Sequence, residues 1–194
     1  MFVIIRKRVF KNLKICKKWG IDKVRLILSD VALNDIENLL SDDDVYINVL
    51  EQTISRCIGC FNCWVKTPGK CVIRDDAPKI YSAIAKSKEV IYISKVKYGG
   101  YDAPMKTLLE RILPTQQAFI RLHHNEVHHY QRDVSLKRAT IIAYDAVSKE
   151  EKTVFSALVN RNAYNMNFES HSVIFTTKEE LSVSVKREVL KWKK

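Results

Sequence analysis

The sequence contains no apolar run that approaches the roughly 18 residues needed to cross a bilayer, so it predicts no transmembrane segment. It also predicts no secretory signal, because the charges of Arg6, Lys7 and Arg8 follow a short apolar run instead of preceding a long one. We therefore predict a cytoplasmic protein. In that reducing compartment, clustered cysteines serve metal binding or redox chemistry more often than structural disulfides.

Internal repeats, low-complexity linkers and nucleic-acid-binding motifs are also absent from the sequence. A length of 194 residues, with 46% hydrophobic and 28% charged residues, is typical of one globular domain with a sizeable core. We predict a single domain over residues 23–194, preceded by a basic extension over residues 1–22. We predict no nucleic-acid partner.

Positive charge is concentrated at the start of the chain. The net charge is +11, and residues 1–23 hold eight lysines and arginines against one acid, Asp22. Val9, Leu13 and Cys16 would share one side of a helix there. The segment therefore fits either a solvated helix that lies on the domain or a basic surface that touches lipid or nucleic acid.

Short apolar runs alternate with helical patterns along the rest of the chain, which is typical of a parallel α/β sheet. The predicted strands are Val24–Leu28, Val45–Leu50, Val90–Ser94, Ala139–Tyr144 and Val173–Phe175. The predicted helices begin near Asn34, Asp76, Asp102, Ser148 and Thr177, where capping residues stand. The alternation predicts a three-layer sandwich, in which ligands bind beyond the carboxyl ends of the strands.

Four cysteines form the least accidental pattern of the sequence. Cys57, Cys60, Cys63 and Cys71 follow one another at spacings of two, two and seven intervening residues. Thiolates bind soft metals and carry out redox exchange, so this spacing fits an iron–sulfur cluster, a structural zinc site or a set of redox-active thiols. The residues alone leave these three alternatives open.

Histidines and paired acids form two further candidate groups. His124 and His128 are predicted to share a helix face at i, i+4, the spacing needed for a metal pair, although no acidic partner accompanies them. Imidazoles beside Tyr130 and Arg132 more often line a pocket rim or an interface. Asp75 and Asp76 stand directly before Ala77-Pro78, where helix capping is a better explanation than paired catalytic carboxylates.

The cysteine segment and the residues after it resemble the flavodoxin-like NAD(P)H-dependent FMN reductases, including the iron–sulfur flavoproteins. The matching residues are Cys57, Cys60, Cys63-Trp64, Thr67-Pro68-Gly69-Lys70-Cys71, Asp75-Asp76, Tyr98-Gly99-Gly100-Tyr101, Pro104-Met105-Lys106 and Glu110-Arg111. The match is dense over residues 57–112 and thins to strand and helix order elsewhere. It implies a flavodoxin-like sandwich with a five-stranded parallel sheet in the order 2-1-3-4-5.

The resemblance also implies a chemistry. Members hold FMN at the ends of strands one, three and four, and they receive hydride from NADH or NADPH. The flavin performs the electron chemistry, while the protein positions it and adjusts its potential. The resemblance therefore implies an oxidoreductase, a homodimer and a small molecule or electron carrier as the acceptor.

Site residues follow from the same resemblance, position by position. The residues implied to border the flavin ring are Ser94, Lys95, Tyr98, Gly99, Gly100 and Tyr101. Tyr144 and Asp145 would close the other side, and Ser29, Asp30 and Asn34 would flank the phosphate. Glycine at positions 99 and 100 would let a flat ring approach the main chain, or would simply form a tight turn.

Two departures from the family pattern bear on function. The loop that begins at Ser29-Asp30 has no glycine and no arginine, and its acid would repel a phosphate dianion. Lysines stand at positions 95 and 97, where relatives usually carry proline and an aromatic residue. Two alternatives thus stay open beside the reductase: a binding or regulatory module that has lost FMN, and an iron–sulfur electron-transfer flavoprotein.

Overall fold

The computed structural model describes residues 24–33, 36–42 and 44–192, and the predicted basic extension 1–22 lies outside them. The described strands are β1 Val24–Ser29, β2 Asp44–Asn48, β3 Ser87–Lys97, β4 Gly100–Tyr101, β5 Gln116–His123, β6 Glu126–Gln131, β7 Lys137–Tyr144 and β8 Phe168–Thr176. The described α-helices are α1 Asn62–Val65, α2 Ala77–Lys86, α3 Ala103–Glu110, α4 Lys149–Asn165 and α5 Leu181–Lys191. Short 3-10 helices cover Ile36–Leu39, Val49–Glu51 and Leu113–Thr115.

The central sheet confirms the predicted topology. Strands β2, β1, β3, β7 and β8 lie side by side in that order and are all parallel. This is the order 2-1-3-4-5 of the flavodoxin-like sandwich once the added strands are set aside. The strand order reverses between β1 and β3, so the carboxyl ends of these two strands form the switch point where such sheets bind ligands.

Apolar side chains on both faces of the sheet produce the three layers. Strand β1 contains the apolar run Leu26-Ile27-Leu28, and all three side chains are fully buried, as expected for a parallel strand covered on both sides. Leu26 and Leu28 join the core beneath α2, α3 and α4. Ile27 joins the opposite core, beneath α5 and the 3-10 helix that follows β1.

The segment after β1 differs from the prediction. The capping pattern at Asn34 predicted a helix, whereas the structure has a 3-10 helix of four residues, Ile36–Leu39. Asn34 itself lies outside the described residues. Other predicted starts are confirmed: the Asp102 carboxylate accepts from the N–H of Ala103, and the Ser148 hydroxyl accepts from the N–H of Glu151.

The histidine segment is not helical, so the prediction that His124 and His128 share a helix face was wrong. Strands β5 and β6 form an antiparallel hairpin, and the turn between them is His124-Asn125, both with positive φ. This combination defines a two-residue turn that matches strand twist. Within the described ranges, no helix is long and apolar enough to cross a membrane.

Candidate functional site

A closed network of hydrogen bonds around Asp30 occupies the switch point of the sheet. The Asp30 carboxylate accepts from the Ser94 hydroxyl at 2.6 Å, from the N–H of Lys95 at 3.1 Å and from the Tyr144 hydroxyl at 3.1 Å. These groups stand at the carboxyl ends of β1, β3 and β7. Four residues that were assigned to one site from the sequence are therefore in direct contact.

Burial decides the electrostatics of this network. Removal from water raises the pKa of Asp30 to about 6, against the opposing effect of the hydrogen bonds from Ser94, Lys95 and Tyr144. Burial, followed by the neighbouring Asp30 charge, raises the pKa of Tyr144. Tyr144 thus stays a hydrogen-bond donor at neutral pH, while Asp30 is a carboxylate that changes charge just below neutrality.

Lys95 and Asp145 extend the site along the same edge. The Lys95 ammonium lies 3.5 Å from the Asp145 carboxylate, and the second oxygen of Asp145 accepts from the N–H of Lys178. Both side chains are partly exposed, so this ion pair contributes little to stability. It places a cation and an anion at the rim, beside the buried Asp30 network.

Of the two uses considered for Gly99 and Gly100, the structure shows the tight turn. Tyr98 and Gly99, both with positive φ, connect β3 to β4 in a two-residue hairpin turn. A Cβ on Gly99 would lie 2.8 Å from Val154 on α4, so the turn packs closely against this helix. Gly100 has more room, because a Cβ on it would come no closer than 3.7 Å to its nearest neighbour, the Lys97 carbonyl oxygen.

The two tyrosines of this turn have opposite environments. Tyr98 is 88% exposed, and the Lys97 ammonium lies 5.9 Å from the centre of its ring. Tyr101 is buried, and its ring packs at 4.9 Å against Phe155 of α4. Tyr98 is therefore available to a ligand at the carboxyl edge, whereas Tyr101 belongs to the core.

The donors of Ser29, Asp30 and Val31, at the start of the loop after β1, are not free for a phosphate group. The Ser29 side chain is buried, its hydroxyl donates to the Val31 carbonyl at 2.7 Å, and it accepts from the N–H of Val31 at 3.2 Å. The N–H of Asp30 donates to the Ile93 carbonyl at 3.1 Å. These donors are already used inside the protein, so they do not fit a phosphate group.

The cysteines share one surface loop around α1. Cys60 is exposed, and Cys57, Cys63 and Cys71 are half-buried; all four are free thiols. Burial, followed by the proximity of Cys71 and Cys57, raises the pKa of Cys63. Over the ranges that the structure covers, no three His, Cys, Asp or Glu side chains converge as metal ligands, and this arrangement gives the predicted iron–sulfur cluster no support.

A buried ion pair, which was not assigned from the sequence, anchors the cysteine loop. Arg111 is 1% exposed and donates to both carboxylate oxygens of Asp75, at 2.6 and 3.0 Å. It also donates to the Ser55 carbonyl and, at 3.4 Å, to the Cys71 sulfur. Burial alone would raise the pKa of Asp75, but Arg111 holds it below its usual value. Asp75 therefore secures the loop, and also caps α2 through the N–H of Ala77.

The hairpin histidines pack against helix α4. The rings of His123, His124 and His128 all lie within 6.1 Å of the Tyr164 ring. Arg161 of the same helix donates to both oxygens of Glu126. These contacts dock the hairpin onto the domain.

Comparisons with known proteins agree with this architecture. No protein-family model matches the chain. An iron–sulfur flavoprotein of Archaeoglobus fulgidus is 35% identical over 85 residues, which cover 44% of this chain and 37% of that protein. An iron–sulfur flavoprotein of Methanocaldococcus jannaschii is 32% identical over 96 residues, covering 50% and 46%. The chain thus spans less than half the length of these curated relatives.

Solved structures match over a larger share of the chain. An FMN-dependent NADH-azoreductase from Bacillus anthracis, solved with FMN, covers 89% of this chain and 97% of its own, with TM-score 0.53 and 12% identity. An NAD(P)H:quinone oxidoreductase from Methanothermobacter marburgensis covers 87% and 96%, with TM-score 0.56 and 8% identity. At such identities the likeness establishes the fold alone. The comparisons confirm a flavodoxin-like fold and the resemblance to iron–sulfur flavoproteins.

Proposed function

We propose that this chain is a flavin-dependent oxidoreductase that passes reducing equivalents from NADH or NADPH, through a flavin, to a small molecule or an electron carrier. The observation that carries the proposal is the convergence of Asp30, Ser94, Lys95 and Tyr144 at the switch point. Flavodoxin-like sheets bind ligands at this edge. The relatives named as flavoproteins support the same chemistry.

The flavin ring would lie along the carboxyl edge, against the exposed ring of Tyr98. An exposed aromatic side chain provides a flat surface on which a second flat ring can stack. Lys97, which lies beside Tyr98, would place positive charge near the ring and favour its reduced, anionic form. Hydride transfer depends mainly on stacking and orientation, so no side chain is required as an acid or base.

The test of this proposal is anaerobic titration of the purified protein with flavin, followed by addition of NADH or NADPH. We expect saturable flavin binding, and a loss of affinity of about tenfold in Tyr98→Ala, consistent with one lost stacking contact. Tyr130→Ala is the matched control, since Tyr130 is an exposed tyrosine on the β5–β6 hairpin, which is separate from the central sheet. Equal flavin affinity in all three proteins would contradict the proposed ring position.

A homodimer is the second part of the proposal, and the outer face of the hairpin supports it. Leu122 pairs with Val127 across the hairpin, so these side chains share a face with Ile120, and each of the three is more than half exposed. An uncharged apolar face is self-complementary under two-fold symmetry, which suits a second copy of the chain.

Sedimentation analysis of Leu122→Glu tests this interface. We expect the variant to be monomeric at concentrations where the unmodified protein is dimeric. Val183→Glu is the control, because Val183 is an exposed apolar residue on α5, away from the hairpin. A dimer that survives Leu122→Glu would contradict the assignment.

The four free thiols suit the reducing cytoplasm that we include in the proposal.

A further inference from the structure

The loop after β1 is unusual for a protein that binds a phosphorylated flavin. A phosphate group at this position of an α/β sheet is normally held by free backbone N–H groups and the positive end of a helix. The helix here is the 3-10 helix Ile36–Leu39, with the acidic Glu37 in its first turn. Residues 29–42 contain no lysine or arginine.

The donors at the start of the loop are engaged by the protein itself. The N–H of Asp30 is bonded to the Ile93 carbonyl, and the N–H of Val31 is bonded to the Ser29 hydroxyl. The Ser29 hydroxyl in turn donates to the Val31 carbonyl. A phosphate would have to break these buried hydrogen bonds before it could form its own, and a broken buried bond is costly.

Asp30 places a negative charge at the start of this loop, and the neighbouring Lys95 ammonium is paired with Asp145. Within the described residues, the groups that hydrogen-bond to Asp30 are two hydroxyls and one backbone N–H, so none of them neutralises its charge. Asp30 is only 6% exposed, and water therefore screens it poorly. Above its pKa of about 6, this carboxylate would repel a phosphate dianion nearby.

We propose that this site binds an isoalloxazine with an uncharged side chain, and that a terminal phosphate adds nothing to its affinity. Riboflavin is the simplest ligand of this class. A sugar-alcohol chain without a phosphate carries no charge for Asp30 to repel, and it needs none of the loop donors that are already bonded inside the protein. This inference rests on the proposed flavin chemistry, and it specifies the flavin.

The experiment compares riboflavin with FMN in parallel titrations of the same protein, and flavin fluorescence reports binding. The pH is kept above about 7.5, where Asp30 is ionised. We expect FMN to bind no more tightly than riboflavin. FMN binding at least tenfold tighter would overturn the inference while leaving the proposed oxidoreductase intact. Failure of both flavins to bind would overturn the inference and the proposed function together.

The variant Asp30→Asn tests whether the Asp30 charge is the reason that the phosphate adds nothing to flavin affinity. Asp30→Asn removes the charge and keeps a side chain that the Ser94 and Tyr144 hydroxyls can still meet. We expect the FMN affinity of this variant to rise at least fivefold relative to its riboflavin affinity. Asp42→Asn is the matched control, since it removes an equal charge from an exposed position before β2, at the amino edge of the sheet. Equal changes for FMN and riboflavin in Asp30→Asn would overturn the assignment to Asp30.

Discussion

The replacement Asp30→Asn also predicts a specific change in how stability depends on pH. Burial raises the pKa of Asp30 from 3.8 to about 6, and this difference corresponds to about 3 kcal/mol. The folded protein holds the proton more tightly than the unfolded chain does. Between these two pKa values the free energy of unfolding therefore falls as the pH rises, because ionisation of Asp30 opposes folding.

Asparagine carries no proton that could be lost, so the variant should lack this part of the pH dependence. Relative to the unmodified protein, we expect Asp30→Asn to gain up to about 3 kcal/mol between about pH 4 and about pH 7.5. Any difference in hydrogen-bond geometry changes the free energy of unfolding by the same amount at both pH values, so it cancels in the comparison. The gain between the two pH values is therefore the quantity that reports on burial of the charge.

Urea unfolding at several pH values, followed by tryptophan fluorescence, measures this gain. The buried Asp30 and the exposed Asp42 form the matched pair, and Asp42→Asn should follow the pH dependence of the unmodified protein. If Asp30→Asn and the unmodified protein have parallel stability curves from about pH 4 to about pH 7.5, the charge is not buried as described and the reasoning fails.

Two further substitutions test the packing around the site, both read from the free energy of unfolding. Asp75→Asn leaves the buried Arg111 without its anion and should cost about 3–5 kcal/mol, whereas Asp76→Asn, at a more exposed ion pair, should cost less than about 1 kcal/mol. Equal losses would contradict the anchoring role. Gly99→Ala adds a Cβ at positive φ and against α4, while Gly59→Ala meets nothing within 4 Å, so Gly99→Ala should cost at least about 1 kcal/mol more. A smaller difference would show that α4 does not approach this turn closely.

The parts of the fold that follow from local sequence were predictable. Strands β1, β3 and β7 were predicted because each contains a compact apolar run that is buried on both faces of the sheet. The strand ends differ from the prediction. Strand β3 runs from Ser87 to Lys97, beyond the predicted end at Ser94, and a turn then leads into β4. The cause is backbone pairing of Lys97 with Gly100, which hydrophobicity does not report.

The β5–β6 hairpin was missed because its histidines were placed on a helix. A local signal was available, since Asn125 tolerates positive φ and stands between the alternating residues Leu122 and Val127. The buried pair of Asp75 and Arg111 had no such signal. It depends on the tertiary approach of residues 36 positions apart, which sequence spacing does not reveal.

The candidate site was predictable in its positions and not in its contacts. Asp30, Ser94 and Tyr144 were identified from strand ends and from the resemblance, and the acid at position 30 was recognised as unfavourable for phosphate. That the carboxylate is buried and bonded to a tyrosine 114 residues away follows only from the fold. The close approach of Gly99 to Val154 of α4 likewise follows only from the fold.

The most direct test of the central claim is the rate at which NADH or NADPH reduces flavin in the presence of this protein, measured anaerobically by the loss of flavin absorbance. The account predicts saturable binding and reduction much faster than that of free flavin, with the rate lowered in Tyr98→Ala. A protein that binds flavin, but on which NADH or NADPH reduces the flavin no faster than they reduce free flavin, would be a flavin-binding module without reductase activity. Reduction at the free-flavin rate would therefore contradict the proposed function.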